Sequence, residues 1–325
     1  MKKFYCLILI LIISLSAFLF GCNSSEINIY APDGAPALSL SSVIKKDLEN
    51  VNINIVAGDK IASFVSGKDK KADVCILPIN MATKLIGSGE DYKMLGTITH
   101  GNFYFLSTDK QVISKDNLSS LIGKTIGVMQ FQNVPGLTLR SVLNANDISF
   151  TIIQDSSEKQ QNKVNLMAIN KVETLRSDID VFLIPSPEAD LKEKTTNLKI
   201  VGSLGELYGE NGFPQAIIVV KNSLLEENLN FVKEFITQIK SVEGYLKEEN
   251  KAEICKLISS KLESGLTPKF NENNLNSDSI RRCNIKFVDV NSSINVVQKF
   301  IKDLKGIEPS SVLEFNENFY YKGSL

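Results

Sequence analysis

Ala72–Leu85, ADVCILPINMATKL, is the stretch whose reading decides the fold. Val74 to Leu77 is an unbroken apolar run of strand length, Pro78 ends it, and a helical pattern begins near Asn80. An apolar run without polar alternation fits a strand covered on both faces, as in a parallel sheet flanked by helices. The plan recurs at Ile179–Lys192, IDVFLIPSPEADLK, which repeats the Asp-Val pair, the proline that closes the strand and the alanine four residues after it. Each copy delivers a Pro-bounded loop to a helix N-terminus, so the chain reads as two related α/β units.

Working outward, strands alternate with helices. Ile27 to Tyr30 is a short apolar strand, followed by PDGAPAL, in which Pro36 stands at a first helical position. Ala37, Leu40, Val43, Ile44 and Leu48 then follow at helical spacing. Val51 to Val56 alternates like a strand, and Ile61 to Val65 reads as a short helix. After Ser107, Lys124 to Met129 is a strand, Phe131 to Gly136 a loop, and Leu139, Val142 and Leu143 mark a helix face. Ser149 to Ile153 and Val181 to Ile184 are strands, and Val164 to Val172 reads as a helix. Leu198 to Gly202 and Ala216 to Val220 are strand-like. Two amphipathic helices close this part, with apolar faces at Val232, Phe235, Ile236, Ile239, Val242 and Leu246, and at Ile254, Leu257, Ile258 and Leu262. The class is α/β, with a chain that enters one lobe, crosses to a second and returns.

The N-terminus carries a different signal. Met1 to Lys3 is basic, Phe4 to Phe20 is almost wholly apolar, and LFGC ends at Cys22. This is the order of a secretory signal, and Gly21 and Cys22 cut the run short of the roughly 20 apolar residues a membrane span needs. Asn23 to Ser25 reads as a flexible tether.

Composition excludes several functions. With 36 basic against 37 acidic side chains, and no basic block or basic-aromatic stripe, nucleic acid is not an expected partner. His100 is the sole histidine and no C-x-x-C pair occurs, so no metal or other cofactor is expected. Cys75 lies in an apolar strand and reads as a core residue; Cys255 and Cys283 could be bridged in an extracellular compartment, which spacing alone does not establish. Gly123 to Thr125, GKT, has Leu118 where a Walker loop needs glycine. Ser42 to Lys45 matches S-x-x-K but falls inside an amphipathic helix, with no K-T-G after it, and no G-x-S-x-G elbow occurs. The protein is therefore not expected to be an enzyme.

The segments LFGC, PDGAPAL, DLENVNINIV, DNLSSLIGKTIGV, FPQAIIVVKNSLLEEN and FNENFYYKGSL together resemble the solute-binding lipoproteins of bacterial ABC importers. Within them the chain is similar to the branch that binds sulfonates, taurine, nitrate and thiamine-pyrimidine precursors. The resemblance implies a periplasmic-binding-protein type II fold, two α/β lobes around a central cleft, and a monomeric receptor that delivers solute to a membrane permease. It also implies lipid on Cys22, with residues 1–21 removed, and residence on the outer face of the cell membrane. The boundaries expected are a tether at 22–26, a first lobe at 27–106 completed by 205–325, and a second lobe at 107–204. An enzyme on the same fold, or a structural or sensory lipoprotein that kept it, are the alternatives.

In open α/β sheets, ligands sit beyond the carboxyl ends of the strands, where helix N-termini present free N–H groups. Four loops meet that description: Asp33 to Pro36, Pro78 to Met81, Gln130 to Asn133 and Pro185 to Glu188. The candidate ligand-binding residues are Asp33, Gly34, Ala35, Asn80, Met81, Gln130, Gln132, Asn133, Ser186 and Glu188, with His100 and Phe213 near the two crossings. For His100 and Phe213 the alternative is a turn or core role. Of the four arginines, Arg140, Arg176, Arg281 and Arg282, none lies in these loops, so no bidentate clamp for a carboxylate is expected. An oxyanion held by helix N-termini, or a polar neutral or weakly cationic heterocycle, fits the loops.

Overall fold

The computed structural model describes residues 26–68, 70–170 and 178–324. The secretory stretch, Cys22, Val172 and Arg176 lie outside them. Twelve strands form two six-stranded sheets among the described residues. The first contains β1 (Ile27–Pro32), β2 (Val51–Val56), β3 (Val74–Pro78), β4 (Tyr92–Thr99), β11 (Ala216–Lys221) and β12 (Ile285–Asp289), in the order β12-β4-β11-β3-β1-β2. The second contains β5 (Phe103–Ser107), β6 (Thr125–Met129), β7 (Phe150–Ile153), β8 (Val164–Ile169), β9 (Val181–Pro185) and β10 (Lys199–Ser203), in the order β10-β5-β9-β6-β8-β7.

The helices are α1 (Ala35–Leu38), α2 (Ser41–Lys46), α3 (Ile79–Leu85), α4 (Val134–Ala145), α5 (Glu188–Thr195) and α6 (Leu204–Tyr208). They continue as α7 (Asn222–Glu227), α8 (Leu229–Tyr245), α9 (Lys251–Ser259), α10 (Ser277–Arg282) and α11 (Val290–Ile307).

The repeated motif is flanked in the same way in both sheets. β3 lies parallel to β1 and antiparallel to β11, and β9 lies parallel to β6 and antiparallel to β5. Each antiparallel strand, β5 or β11, is the first strand after the chain crosses between sheets. The crossings therefore run through His100–Asn102 and through Gly209–Gln215. This moves β5 out of the first lobe, where a boundary at 106/107 would put it, because its ladder partners are β9 and β10. The return crossing likewise falls after α6 rather than at 204/205.

The segment read as a helix over 164–172 is strand β8 over Val164–Ile169, paired parallel with both β6 and β7. Its run of apolar residues suits either period, and burial on a central strand decides it. Asn165, a polar interruption, is fully buried and donates to the carbonyls of Lys124, Gln160 and Lys163.

One apolar core runs through both sheets. Leu77, Met94 and Ile217 of the first sheet and Phe105, Ile126 and Leu183 of the second belong to it, joined by α4 and α11. α11 buries Val290, Val297, Phe300, Ile301 and Leu304 at helical spacing and is capped by Asp289, whose side chain accepts from the Ser292 amide. Phe213, Phe300 and Tyr208 form a fully packed aromatic group, with Phe213 stacked on Phe300 at 5.3 Å. Burying one such ring contributes roughly 1.5–3 kcal/mol. A second cluster packs α8 and α9 onto the first sheet, including the apolar faces read from the sequence. Cys75, Cys255 and Cys283 are all free thiols.

Candidate functional site

The strand ends β1, β3, β6 and β9 each lead straight into a helix, and none of these helices, α1, α3, α4 and α5, has a side-chain cap on its N-terminus. Elsewhere α6, α8, α10 and α11 are capped by Ser203, Asn228, Asn276 and Asp289, whereas α2, α7 and α9 are uncapped. First-turn N–H groups are thus unclaimed by side-chain caps at the loops the sequence singles out, though not at those loops alone.

At β3–α3, Pro78 closes the strand and the Ile79 amide donates to the Gln215 carbonyl on the return crossing, 3.1 Å away. That bond fixes Asn80 in the first turn, where Thr83 Oγ1 donates to its carbonyl. The Asn80 residue is 5% exposed; its Nδ2 donates at 3.3 Å to Oδ1 of Asn133, in the loop that follows β6 of the other sheet. Its own Oδ1 is buried and has no partner. Asn133 stands just before α4, yet its side chain points across to Asn80 instead of capping its own helix. The turn before it needs Gln130 at φ 57° so that the Asn133 amide can donate to the Gln130 carbonyl. Gly136 is required next: a Cβ there would lie 1.9 Å from the Phe131 carbonyl oxygen.

A cavity of about 380 Å³ opens beside this contact, lined by Asn80, Met81, Lys84, Gln132, Asn133 and Glu308, among others. Its size falls in the range of small-molecule sites, roughly 300–1,000 Å³. Glu308 follows α11 and accepts from Arg140 Nη1 at 3.0 Å. Arg140 is buried, donates from Nε to the Gly136 carbonyl and covers the Phe131 ring, with its guanidinium carbon 5.0 Å from the ring centroid. Thus one arginine does reach the rim, indirectly, from the second turn of α4. Its place within the helix, outside the strand-end loops, hides it from a reading of those loops.

The Asp33 turn is built differently. Asp33 is 9% exposed, and its carboxylate accepts from the Gly34 amide at 2.7 Å and the Lys269 amide at 2.9 Å. Burial raises its pKa above the usual 3.8, and the two backbone N–H groups oppose that rise. Gly34 takes φ 105°, which a side chain would strain. Ala35 is buried beneath it. Lys269 Nζ lies 3.4 Å from Glu188 Oε2, a half-exposed pair that joins the two lobes at this end. Lys269 is not among the residues expected from the sequence; Ser264–Gly265 and Pro268 mark its segment as a loop without indicating its partner.

Ser186 is 1% exposed and donates its hydroxyl to Asp190, which also pairs with Arg282 at 3.2 Å. Burial raises the Asp190 pKa, with Ser186 and Arg282 opposing. Between the loops lies Asn102, 2% exposed, on the first crossing. Its amide N–H donates to Gln215 Oε1 at 3.1 Å and its Nδ2 to the Ser186 carbonyl at 2.6 Å, while its Oδ1 is buried without a partner.

The four loops meet other segments at three places: Asn80, Met81, Gln132 and Asn133 line the cavity, Asp33 with Gly34 and Glu188 meet at Lys269, and Ser186 bonds to Asn102. Gln130 is exposed and serves the turn. Two expected residues lie elsewhere. Phe213 is fully buried in the aromatic group, where core packing outweighs any ligand contact. His100 is tied to the first sheet's edge: its Nε2 is 2.9 Å from the Lys286 carbonyl and its amide donates to the Asn284 carbonyl. The Ser42 and Lys45 pair is also accounted for, since Ser42 donates to the Gln238 carbonyl and Lys45 pairs with Glu253.

No family model matches the chain, and no curated relative matches it. Solved structures do. An ABC transporter protein from Parabacteroides distasonis superposes with a TM-score of 0.67 at 15% identity, over 93% of this chain and 100% of that one. The alkanesulfonate-binding protein SsuA from Xanthomonas axonopodis pv. citri, bound to MOPS, gives 0.58 at 12% identity, over 90% and 100%. The Candida albicans CA3427 product, described as having the generic periplasmic binding protein fold, gives 0.53 at 10% identity, over 90% and 97%. The two sheets, their crossings and these superpositions establish that the chain has the periplasmic-binding-protein fold shared by ABC-import solute-binding proteins.

Proposed function

We propose that the protein is an extracytoplasmic solute receptor, anchored by lipid on Cys22, that captures a small polar molecule and delivers it to an ABC import permease. The observation that carries this reading is Asn80: a buried amide whose oxygen lacks a partner, at a contact between lobes beside a cavity of ligand size. A buried polar atom without a partner costs about 1–3 kcal/mol, and a solute supplying the missing bond between the lobes recovers it. Polar lips at Asn80, Gln132 and Asn133 favour a binding role over a purely structural one. Delivery to a permease, a small-molecule partner and a monomeric state are carried over from what the fold neighbours are called and from the sequence resemblance.

Two experiments test the reading. Purified full-length protein, screened against a broad solute library, should gain melting temperature with a narrow chemical class; a library without a single stabilising solute counts against a receptor. Replacement of Cys22 by Ser should move the protein from the membrane fraction to the soluble fraction, and unchanged membrane association would rule out the lipid anchor.

A further inference from the structure

On one side of the cleft the first lobe reaches over the second through a single stretch of chain, residues 269–284. The stretch has its footing in the first lobe: the Lys269 amide donates to Asp33 Oδ2 at 2.9 Å, Phe270, Leu275 and Cys283 are buried in the cluster that packs α8 and α9 onto the first sheet, and the chain then runs into β12. Its outward bonds go to α5, to the turn before α5 and to β5. Asn274 is fully buried; its Oδ1 accepts from the Asn271 amide at 2.6 Å, which fixes its Nδ2 as the donor to the Pro187 carbonyl at 3.2 Å. Arg282 Nη1 lies 3.2 Å from Asp190, whose side chain is 4% exposed and also accepts from Ser186. Lys194 Nζ donates to the Asn273 carbonyl at 2.7 Å, and Tyr104 donates its hydroxyl to the Arg282 carbonyl at 3.1 Å. The Lys269–Glu188 pair lies at the start of the row.

The other side of the cleft is joined more loosely. There α3 and the loop before α4 share the neutral Asn80–Asn133 bond beside the cavity. α11 also touches both lobes, through Val297, Phe300, Ile301 and Leu304, apolar contacts that can slide without losing a directional bond. Its polar links to the second lobe, Asp303 to Tyr208 and Glu308 to Arg140, are made by partly exposed carboxylates. Opening along α5 would strip the buried Asp190 carboxylate of its cation and leave the Asn274 amide and the Pro187 carbonyl unpaired, whereas opening along α3 and α4 gives up a neutral bond beside an open cavity. Resting on the receptor reading, we propose that residues 269–284 are a strap that keeps the lobes joined along α5, so that the cleft opens and admits solute on the α3–α4 side.

The test is pulsed dipolar spectroscopy on the full-length protein in detergent with no solute added. Spin labels are carried on ketone-bearing amino acids inserted at exposed positions, which spares the native thiols. One pair, Ser259 at the end of α9 and Thr195 at the end of α5, spans the strap; the other, Ser88 after α3 and Asn144 in the last turn of α4, spans the cavity side. With the strap intact, the Ser259–Thr195 pair should give one narrow distance and the Ser88–Asn144 pair a broader distribution reaching longer distances. Asn274→Ala combined with Arg282→Ala should add a longer-distance population at Ser259–Thr195. Equal widths for the two pairs, or a greater width across the strap, overturn the inference, and this comparison decides it even where the double variant fails to fold. An unchanged Ser259–Thr195 distance in a folded double variant overturns it as well. Either result leaves the receptor reading standing, because that reading falls to the solute screen and not to the way the lobes part.

Discussion

The β1–α1 and β3–α3 turns sit side by side at the carboxyl ends of neighbouring parallel strands, yet they are finished in opposite ways. The Asp33 carboxylate is fully engaged by the amides of Gly34 and Lys269, residues far apart in sequence, and so pins the 269 segment over the turn. Asn80 holds a single side-chain bond, to the opposite lobe, and leaves its oxygen unmet. Position at a strand end does not by itself make a ligand group. The turn whose bonds close internally is architecture, and the one left short of a partner is where a solute has something to contribute.

The largest expected effect breaks the architectural side of this comparison. Asp33→Ala strands the buried Gly34 N–H and the part-buried Lys269 N–H and should cost about 1–3 kcal/mol in urea unfolding; a loss below about 0.5 kcal/mol would make the Asp33 turn as dispensable as a surface loop. Next in size is Glu308→Ala. Among the described residues it leaves the buried Arg140 guanidinium with the Gly136 carbonyl as its one bonded acceptor, and should cost about 1–3 kcal/mol, less than a fully buried pair because Glu308 is partly exposed.

The smaller effects are in pH. Asp33 has a raised folded pKa, so the protonation-linked part of its stability, separate from the two amide bonds that Asp33→Ala removes, is full below 3.8 and is lost as pH rises through the folded value. Asp33→Asn should remove that slope from the urea midpoint measured across the acid range. His100 works the other way: burial lowers its folded pKa below 6.5, so its contribution is present above 6.5 and fades as pH falls through the folded value. His100→Gln should flatten the wild-type decline below that pH, and an unchanged decline would place its cause elsewhere.

Much of this was legible in the chain. The paired stretches at Ala72 and Ile179 announced two equivalent strand–loop–helix units, and they occupy equivalent sheet positions because burial on both faces demands the same apolar run. β8 was not legible as a strand, since Val164 to Ile169 suits either period until its neighbours are known. At the site, Asn80, Gln132 and Asn133 follow from strand-end geometry. Lys269, Asn102 and Glu308 do not, because they arrive from segments 236, 84 and 168 residues distant from the partners they meet. His100 and Phe213 misled because an aromatic or imidazole near a crossing packs as readily as it binds.

The central claim is that the unmet amide between the lobes is a ligand contact and not a structural one. The most direct test is the affinity of wild-type protein and Asn80→Ala for the solute found by screening, measured by calorimetry alongside the unliganded melting temperature. The account predicts at least a tenfold loss of affinity with unliganded stability changed by less than about 1 kcal/mol. Equal affinity in the two proteins, or a loss of affinity matched by a collapse of the unliganded fold, would contradict it.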